Sequence, residues 1–238
     1  MDTSSYIALS GEMVREHQME VLANNIANQS TPGFKAEKMM FREYLNDAGG
    51  SPSSYVVGAG NARDMGQGPM SHTGDPLDIA LNGPGFLTVT TPNGDRYTRD
   101  GHLQLDSQGE LVTTSGFVVQ GDGGSPIVIP ADAGQITIGK DGTVATQKQT
   151  IGKIAVVNFD NPQTLAEIQG GLYATKQTPQ PVTTTNIEQG TVEEANIQPV
   201  VEMTKLMKAA RDIGMAKNFV DGENTRIKDA IDRLGKTI

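Results

Sequence analysis

The 238-residue chain contains no cysteine and no tryptophan. Without cysteine there is no disulfide framework, no thiolate metal site and no cysteine nucleophile. Aromatic residues make up only 5% of the sequence, whereas 28 glycines and 12 prolines are present, and these two residue types favour turns. The composition allows one large domain, or one medium-sized domain with appendages, that contains many turns.

The sequence also lacks an excess of basic residues. Its formal net charge is −9 with a pI near 4.8, and the segment 36–189 holds sixteen acidic and nine basic side chains. Because nucleic-acid binding requires a basic face, we expect no nucleic-acid partner. The two ends are closer to neutral, as expected of segments that contact other protein chains.

Long apolar runs are missing as well. No stretch of about 18 apolar residues occurs, so no membrane span and no direct membrane insertion are predicted. The first ten residues contain neither a basic stretch nor an apolar core, so no cleaved secretory signal is predicted. If the protein leaves the cytoplasm, we expect it to use another export route.

Motifs of catalytic and binding sites are incomplete. The stretch 55–60 resembles the opening of a dinucleotide-binding loop, but Arg63 replaces its last glycine and no helix can follow. The aspartates of 95–106 lack calcium-loop spacing, the three histidines lack metal-ligand spacing, and no serine stands in a Gly-x-Ser-x-Gly turn. No pair of carboxylates stands out, although the fold decides their separation. The sequence predicts no catalytic, cofactor or metal site.

A helical pattern is present at each end of the chain. Residues 4–28 contain no proline and one glycine, and Ser30–Gly33 ends the pattern. A second helix of about 38 residues is predicted from Pro199. Acidic residues lie near the start of this helix, at Glu193, Glu194 and Glu202, and basic residues lie near its end, at Lys228, Arg233 and Lys236. This distribution of charge complements the helix dipole.

Both predicted helices carry an apolar row with a period of seven. In the first helix the row is Ile7, Val14 and Val21, with Leu22 beside it. In the second it is Leu206, Ile213, Val220, Ile227 and Leu234, with a companion row of Met203, Ala210, Ile231 and Ile238 that Lys217 and Asn224 interrupt. This period predicts a coiled-coil seam. Each helix therefore needs a partner, either the other terminus or a neighbouring subunit.

The middle of the chain has the pattern of short strands. Apolar runs at 77–81, 86–89, 111–112, 117–119, 127–129 and 154–157 predict strands, and the pairs Asn82-Gly83, Asn93-Gly94, Asp100-Gly101 and Asp141-Gly142 predict hairpin turns. We therefore predict a mainly β central domain, antiparallel and sandwich- or barrel-like, with long terminal helices that pair as a coiled coil. The predicted segments are an N-terminal assembly helix (1–35), a linker or extended arm (36–75), a β-rich outer domain (76–185) and a C-terminal assembly helix (186–238).

Three asparagines lie within five residues near the end of the first helix: Asn24, Asn25 and Asn28. Asparagine is a mediocre helix former, so the helix is weak here unless the side-chain amides find partners. Either the helix frays at this end, or the amides bond to a neighbouring subunit. The residue pattern alone favours neither interpretation.

The segment Leu22–Lys35 (LANNIANQSTPGFK) closely resembles the N-terminal motif of the bacterial flagellar rod, hook and hook-associated axial proteins. Two later blocks agree with this resemblance. Residues 77–116, with LDIALNGPGF, RYTRDG and DSQGELVTTSG, look like the β domain of rod and hook subunits. Residues 189–211 resemble the C-terminal helix of the family. The three blocks occur in the family order, so the chain is identified as a member of this family.

Within the family, length and motifs favour a proximal-rod protein. Hook proteins are much longer, and the smaller proximal-rod proteins lack the β domain. The distal-rod protein is the alternative, but where its pattern has Gln-Arg-x-Tyr this chain has the sequence of 210–213, ARDI. An alternative from another class is a secreted β-rich binding module or hydrolase with oligomerising helices, which predicts a ligand cleft in 76–185.

The resemblance implies a structural subunit rather than an enzyme. Such a subunit is exported by the flagellar export apparatus without a cleaved signal and assembles in the periplasm with itself and with other proximal and distal rod proteins. Its terminal helices form the inner tube, and the rod transmits torque from motor to hook. The residues expected at the assembly interface are Ile7, Val14, Val21, Leu22, Asn24, Asn25, Asn28, Phe34, Lys35, Leu206, Arg211, Ile213, Val220, Ile227 and Leu234.

Overall fold

The protein is mainly β with a helix at each end. The computed structural model describes residues 3–46, 53–168 and 170–235, and the side chains of residues 11–42, 58, 60–168 and 170–234. The helices are α1 (Thr3–Ala27) and α2 (Pro199–Gly235), and both begin within one residue of the predicted start. Neither helix, over its described residues, is long and apolar enough to cross a membrane.

Eighteen strands lie between the helices in the described part of the chain. They are β1 (Glu37–Asn46), β2 (Ser53–Arg63), β3 (Met70–His72), β4 (Ile79–Asn82), β5 (Phe86–Thr91), β6 (Gly94–Thr98), β7 (Leu103–Leu105), β8 (Leu111–Thr113), β9 (Val118–Val119), β10 (Ile136–Ile138), β11 (Thr143–Thr146), β12 (Thr150–Lys153), β13 (Val156–Asn158), β14 (Ala166–Ile168), β15 (Leu172–Ala174), β16 (Gln180–Pro181), β17 (Asn186–Gln189) and β18 (Thr191–Glu193). A 3-10 turn covers Pro162–Thr164.

The chain divides into two compact units. Unit 1 comprises Met1–Ala27, Glu37–Ala62 and Gln198–Ile238, and unit 2 comprises Asn28–Ala36 and Arg63–Ile197. In unit 1, α1 contacts both α2 and β1, and β1 pairs with β2 in a two-stranded sheet. The sequence analysis found no strand in 46–75 because β2 contains two glycines, which weaken a strand pattern. Residues 47–52 of the predicted arm lie outside the described residues.

Unit 2 is built on a nine-stranded sheet. Its main path runs β14-β15-β6-β5-β9-β8-β7, with β13 paired to β5 and β16, and every pairing in it is antiparallel. Strands β10-β11-β12 form a second sheet, and the pairs β17-β4 and β18-β3 complete the unit. The hydrophobic core contains fully buried side chains from several strands, among them Leu87, Val89, Leu111, Val119 and Val144.

Two of the four predicted hairpin turns are confirmed. Asn93-Gly94 joins β5 to β6, and Asp141-Gly142 joins β10 to β11, and each strand pair is antiparallel. The other two are wrong, because β4 pairs with β17 rather than β5, and β7 pairs with β8 rather than β6. Asn82-Gly83 and Asp100-Gly101 therefore connect strands that are not neighbours. Glycine at 83 has a φ of 130°, which suits a sharp change of direction as well as a hairpin.

The sequence predicts a strand at 127–129, but no strand forms there. Pro126 and Pro130 bracket the segment, and proline cannot donate to a ladder. The segment instead forms one isolated bridge from Val128 to Glu110. Ile127 and Ile129 are nevertheless buried in the core of unit 2, so the apolar pattern correctly identified core residues.

Candidate assembly interface

In unit 1, one face of α2 is covered over most of the length of the helix. The buried or half-buried residues of this stripe are Glu202, Leu206, Ala209, Ile213, Ala216, Val220 and Glu223, with Asp212 beside it. They alternate at spacings of four and three, which is the spacing of one continuous helix face. All described α2 side chains from residue 224 onward are exposed.

The predicted row of Leu206, Ile213 and Val220 is therefore on the covered face, but the companion row is wrong. Met203 is 45% exposed and Ala210 is also exposed. The companions are Ala209, which is buried, and Ala216, which is half-buried. Met203 and Ala210 lie three residues before members of the main row, whereas Ala209 and Ala216 lie three residues after them. The covered side is the one with Ala209 and Ala216, whose small side chains let two helices approach closely.

α1 carries a matching stripe. Val21 and Leu22 are buried and Val14 is half-buried. At the end of this stripe, the Asn25 Nδ2 atom lies 3.5 Å from Glu202 Oε2. Because the last turn of α1 meets the first turn of α2 and the two helices contact each other, α1 runs antiparallel to α2.

The two helices differ in length, and this explains where the covered stripe ends. α1 has 25 residues and α2 has 37, so α2 extends past the start of α1 by about 18 Å at 1.5 Å per residue. In this extension Ile227 is 53% exposed, Ile231 61% and Leu234 73%. The predicted apolar row thus continues beyond the point where the partner helix of the same chain ends.

Asn25 has an intrachain role. Its side chain is 1% exposed, its Nδ2 donates to the Glu37 carbonyl at 2.8 Å, and its Oδ1 accepts from the Glu37 N–H at 2.9 Å. The amide therefore pairs with the backbone as a neighbouring strand would. Of the other two asparagines, Asn24 is exposed and Asn28 is half-buried in a turn in which Thr31 donates to its backbone and side chain.

The N-terminal motif continues into the interior of unit 2. Phe34 is fully buried and Lys35 is 1% exposed. Lys35 Nζ donates to Glu193 Oε1 at 2.6 Å and to the Gly66 carbonyl at 2.7 Å. Glu193, also fully buried, accepts a bond from Arg99 Nε at 2.7 Å through its other oxygen. We call Lys35, Arg99 and Glu193 the buried triad.

Every donor of the Arg99 guanidinium has an acceptor. Its Nε binds Glu193, and its two Nη atoms donate to the carbonyls of Leu81, Gly83 and Gly85 at 2.7–3.1 Å. Arginine has five N–H donors in a fixed planar arrangement, and five bonds are present. The end of β4 and the turn that follows it, which the sequence analysis took for a hairpin, therefore provide three carbonyl oxygens for this one side chain.

Asn196 joins the same region of the chain. Its Oδ1 accepts from the Ala36 N–H at 2.7 Å, and its Nδ2 donates to the carbonyls of Asp64 and Gly66 at 2.8 and 2.9 Å. Backbone bonds run alongside, from Gly33 N to the Glu193 carbonyl at 2.7 Å. Hydrogen bonds within unit 2 thus join residues from two distant parts of the sequence, 33–36 and 193–196.

The sequence analysis missed Glu193, Arg99 and Asn196 as structural centres. It placed Glu193 and Glu194 at the start of the C-terminal helix, whereas Glu193 lies in β18 and α2 begins at Pro199. Only Glu202 is acidic in the first turn of α2. Arg211, another predicted residue, is exposed, and its Nε donates to the Met207 carbonyl.

The structure therefore sorts the predicted interface residues into three groups. The buried ones are Val21, Leu22, Asn25, Phe34 and Lys35; the half-buried ones are Val14, Asn28, Leu206, Ile213 and Val220; the exposed ones are Asn24, Arg211, Ile227 and Leu234. Ile7 lies in α1, but its side chain is outside the described side chains. The role of this set in assembly stays a prediction.

The burial of Lys35 yields a prediction about pH. Desolvation lowers the pKa of its ammonium group below the ordinary value of 10.5, an effect that Glu193 opposes and Arg99 reinforces. Between the folded pKa and 10.5 the unfolded chain binds more protons, so the contribution of Lys35 to the unfolding free energy rises with pH. We expect the difference between the wild type and Lys35→Met to rise over this window by up to about 1.4 kcal/mol per pH unit.

Urea unfolding of both proteins from neutral pH to 10.5, followed by hydrogen exchange in β5 and β6, measures this difference. The other titrating groups are common to both proteins and cancel. Parallel stability curves would contradict the lowered pKa of Lys35.

Unit 2 also contains a cleft of about 410 Å³, lined by residues that include Ser30, Ser71, His102 and Glu194. His102 Nδ1 lies 2.8 Å from Asp78 Oδ1. Burial raises the pKa of the nearby Asp100 carboxyl, which accepts a bond from the His102 N–H. Among the residues that the structure describes, no group of three or more His, Cys, Asp or Glu side chains is arranged to hold a metal ion.

Comparison with known proteins identifies relatives along the whole chain. Residues 6–35 match the family model of the flagella basal body rod protein, and residues 80–146 match that of the flagellar hook protein FlgE/F/G D1 domain. The flagellar basal-body rod protein FlgF of Caulobacter vibrioides is 41% identical over 99% of both chains. FlgF of Mesorhizobium japonicum is 34% identical over 99% of both chains. FlgG of Bacillus subtilis is 31% identical over 87% of this chain and 90% of its own.

These relatives are structural proteins of the rod, and their similarity extends over the helical ends as well as the β unit. The expectation of a rod subunit rather than an enzyme is therefore confirmed. The chain belongs to the family of flagellar basal-body rod proteins, with its FlgF members among the relatives that match along nearly their full length.

Proposed function

We propose that this rod subunit polymerises through α1 and α2, which pair as a coiled coil, and that it occupies the proximal part of the rod as FlgF does. The observation that supports this most directly is the end of the covered stripe at Glu223. Beyond it, Ile227, Ile231 and Leu234 expose apolar surface along the same helix. An apolar helix face of this kind is stabilised by packing against another helix.

The choice of FlgF over FlgG rests on the extent of the match. The identity to FlgF of Caulobacter vibrioides is 41% over 99% of this chain, against 31% over 87% for FlgG of Bacillus subtilis. The distal-rod assignment is the second candidate. In either position the partners are further copies and other rod proteins, and export proceeds through the flagellar export apparatus without a cleaved signal, into the periplasm.

The proposed assembly also gives the predicted segments their roles. Residues 1–35 and 186–238 act as assembly segments, 36–75 as an arm and 76–185 as the outer domain. Contacts between helices of neighbouring subunits, added along the rod, resist twist and so transmit torque. The buried triad supports the outer unit, in which it lies.

Deletion of the gene in its host, followed by electron microscopy of the cell envelope, tests the proposal. We expect basal bodies that stop partway along the rod, without distal rod and hook, and restoration by the full-length gene. A chain that ends at residue 223 should fold but fail to restore assembly, since it lacks the exposed apolar extension. Complete flagella and normal swimming in the deletion strain would overturn the proposal, whereas rods whose proximal part is complete and that lack only the distal part would favour the distal assignment.

A further inference from the structure

The last part of unit 2 is a segment, residues 186–197, that we call the closing segment. It contains β17 and β18 and precedes α2. β17 pairs with β4, and β18 pairs with β3, in two sheets of two strands each. In the described part of the chain, β3 and β4 therefore have strand partners only in the closing segment. Without it, both strands would lose these ladders of backbone hydrogen bonds.

The closing segment also contributes to the core and contacts the second sheet. Ile187 is 2% exposed and belongs to the hydrophobic core, and its N–H donates to the Lys140 carbonyl at 2.8 Å. Gln189 Nε2 donates to the Ile136 carbonyl at 3.1 Å, and Gln189 Oε1 accepts from the Ile138 N–H at 3.1 Å. This side-chain amide thus binds the backbone of β10 at both ends of the strand.

The final residues of the closing segment bind the start of unit 2. Glu193 is the counter-ion of both cations of the buried triad, and Asn196 Oδ1 accepts from the Ala36 N–H. The Gly33 N–H donates to the Glu193 carbonyl at 2.7 Å, and the Asn196 N–H donates to the Phe34 carbonyl at 3.3 Å. If the segment left, two buried cations and several buried backbone groups would lose their partners, and each loss costs free energy. The combined cost is comparable with the whole stability of a domain.

From these contacts we infer that unit 2 has no stable folded form without the closing segment, so that the segment cannot detach unless the whole unit unfolds. A segment that only covered a finished sheet would fray locally. The closing segment instead supplies the strand partners of β3 and β4, a core side chain, the contacts to β10 and the counter-ion of the buried triad. The fold of unit 2 therefore depends on residues near both of its ends in the sequence, 33–36 and 186–197.

This dependence determines when unit 2 can fold. Contacts between residues so far apart in the chain form only after the long loop between them has closed. During the proposed export, unit 2 therefore stays open until both 33–36 and the closing segment have left the export apparatus, whichever end of the chain leaves first. This consequence rests on the proposed function, whereas the dependence itself is a property of the folded chain.

Hydrogen exchange of the purified full-length chain, over a series of urea concentrations below the unfolding transition, tests the inference. The reporters are the amides of Ile187, Gly190 and Glu194, whose N–H groups each donate to a carbonyl outside the closing segment at 2.7–2.8 Å. We expect their protection factors to equal those of the slowest amides of β5 and β6 within about threefold, with the same dependence on urea, because one opening exposes them all. Reporters that are protected about tenfold less or worse, with a weaker dependence on urea, would show local fraying and overturn the inference.

Leu111→Ala gives a second test, because Leu111 is fully buried in β8, a strand that pairs with neither β17 nor β18. Loss of this side chain should speed exchange of the slowest amides of β5 and β6 by about 30-fold or more, and exchange of the three reporters by the same factor.

The matched control is Gln104→Ala, at an exposed position of the neighbouring strand β7, which should change these rates by less than about threefold. Reporters that keep their wild-type rates in Leu111→Ala, while β5 and β6 exchange faster, would overturn the inference. Both tests use the purified chain without rods, so their failure is separate from failure of the proposed function, which the deletion strain decides.

Discussion

Replacement of Glu193 by alanine is expected to lower the free energy of unfolding of unit 2 by about 3–5 kcal/mol. The carboxylate is fully buried and binds Lys35 at 2.6 Å and Arg99 at 2.7 Å. It also accepts from the Gly68 N–H at 2.8 Å. Without it, two buried positive charges have no counter-ion and a buried N–H has no acceptor, and each of these costs free energy.

Urea unfolding combined with hydrogen exchange of β4, β5 and β18 measures the effect. The matched control is Glu194→Ala, because Glu194 is the next residue in the chain and its side chain is exposed; we expect a change within about 0.5 kcal/mol. Adding Lys35→Met to Glu193→Ala removes one of the two uncompensated charges and should recover part of the loss. Equal stabilities of the Glu193 and Glu194 variants would show that the triad does not hold the unit together.

The two helices could be predicted from the sequence because a helical pattern depends on residues that are close together in the chain. The stretch before Ser30 and the stretch after Pro199 each keep a helical period without an internal proline, and the structure begins both helices within one residue of the prediction. The hairpins at Asn93-Gly94 and Asp141-Gly142 were predictable for the same reason, since each turn and its two strands are contiguous.

The buried triad could not be predicted in this way. Lys35 is separated from Glu193 by 158 residues, and Arg99 from Glu193 by 94. In sequence, Glu193 stands beside a second glutamate and shortly before a helix, which is the usual setting of a solvated acidic residue near a helix N-terminus. Only the fold distinguishes the fully buried Glu193 from the exposed Glu194. The family motifs in the sequence analysis contain Lys35 and Arg99, but nothing in those motifs indicates that the two side chains meet at Glu193.

The companion row on α2 failed for a different physical reason. A helix face with a period of seven can be completed by residues three before or three after the main row, and hydrophobicity favours Met203 over Ala209. Packing between helices also depends on how closely the two backbones approach. The covered face has Ala209 and Ala216, whereas Met203 and Met207 are left exposed.

Ile213→Asp and Val220→Asp are each expected to prevent incorporation into rods while unit 2 remains folded. Both side chains are half-buried on the stripe that faces α1, and an aspartate there places an unpaired charge at an apolar contact. We expect a loss of about 2–4 kcal/mol from the helix pair. A loss of that size lowers the population of the paired conformation at least about tenfold, so rod assembly and swimming in the complemented deletion strain should fail.

The matched control for both variants is Thr225→Asp, which introduces the same side chain at an exposed position of the same helix, on the side away from the covered stripe and from Ile227, Ile231 and Leu234. If the loss of assembly is caused by a charge on the covered stripe, and not by any added charge on α2, this control should assemble normally. Hydrogen exchange separates assembly from folding: the amides of residues 11–27 and 202–223 should exchange faster in the stripe variants, while β5 and β6 keep wild-type protection. Normal swimming of either stripe variant would contradict the coiled-coil assignment, because a helix pair that tolerates a carboxylate at its centre is not held by that apolar row.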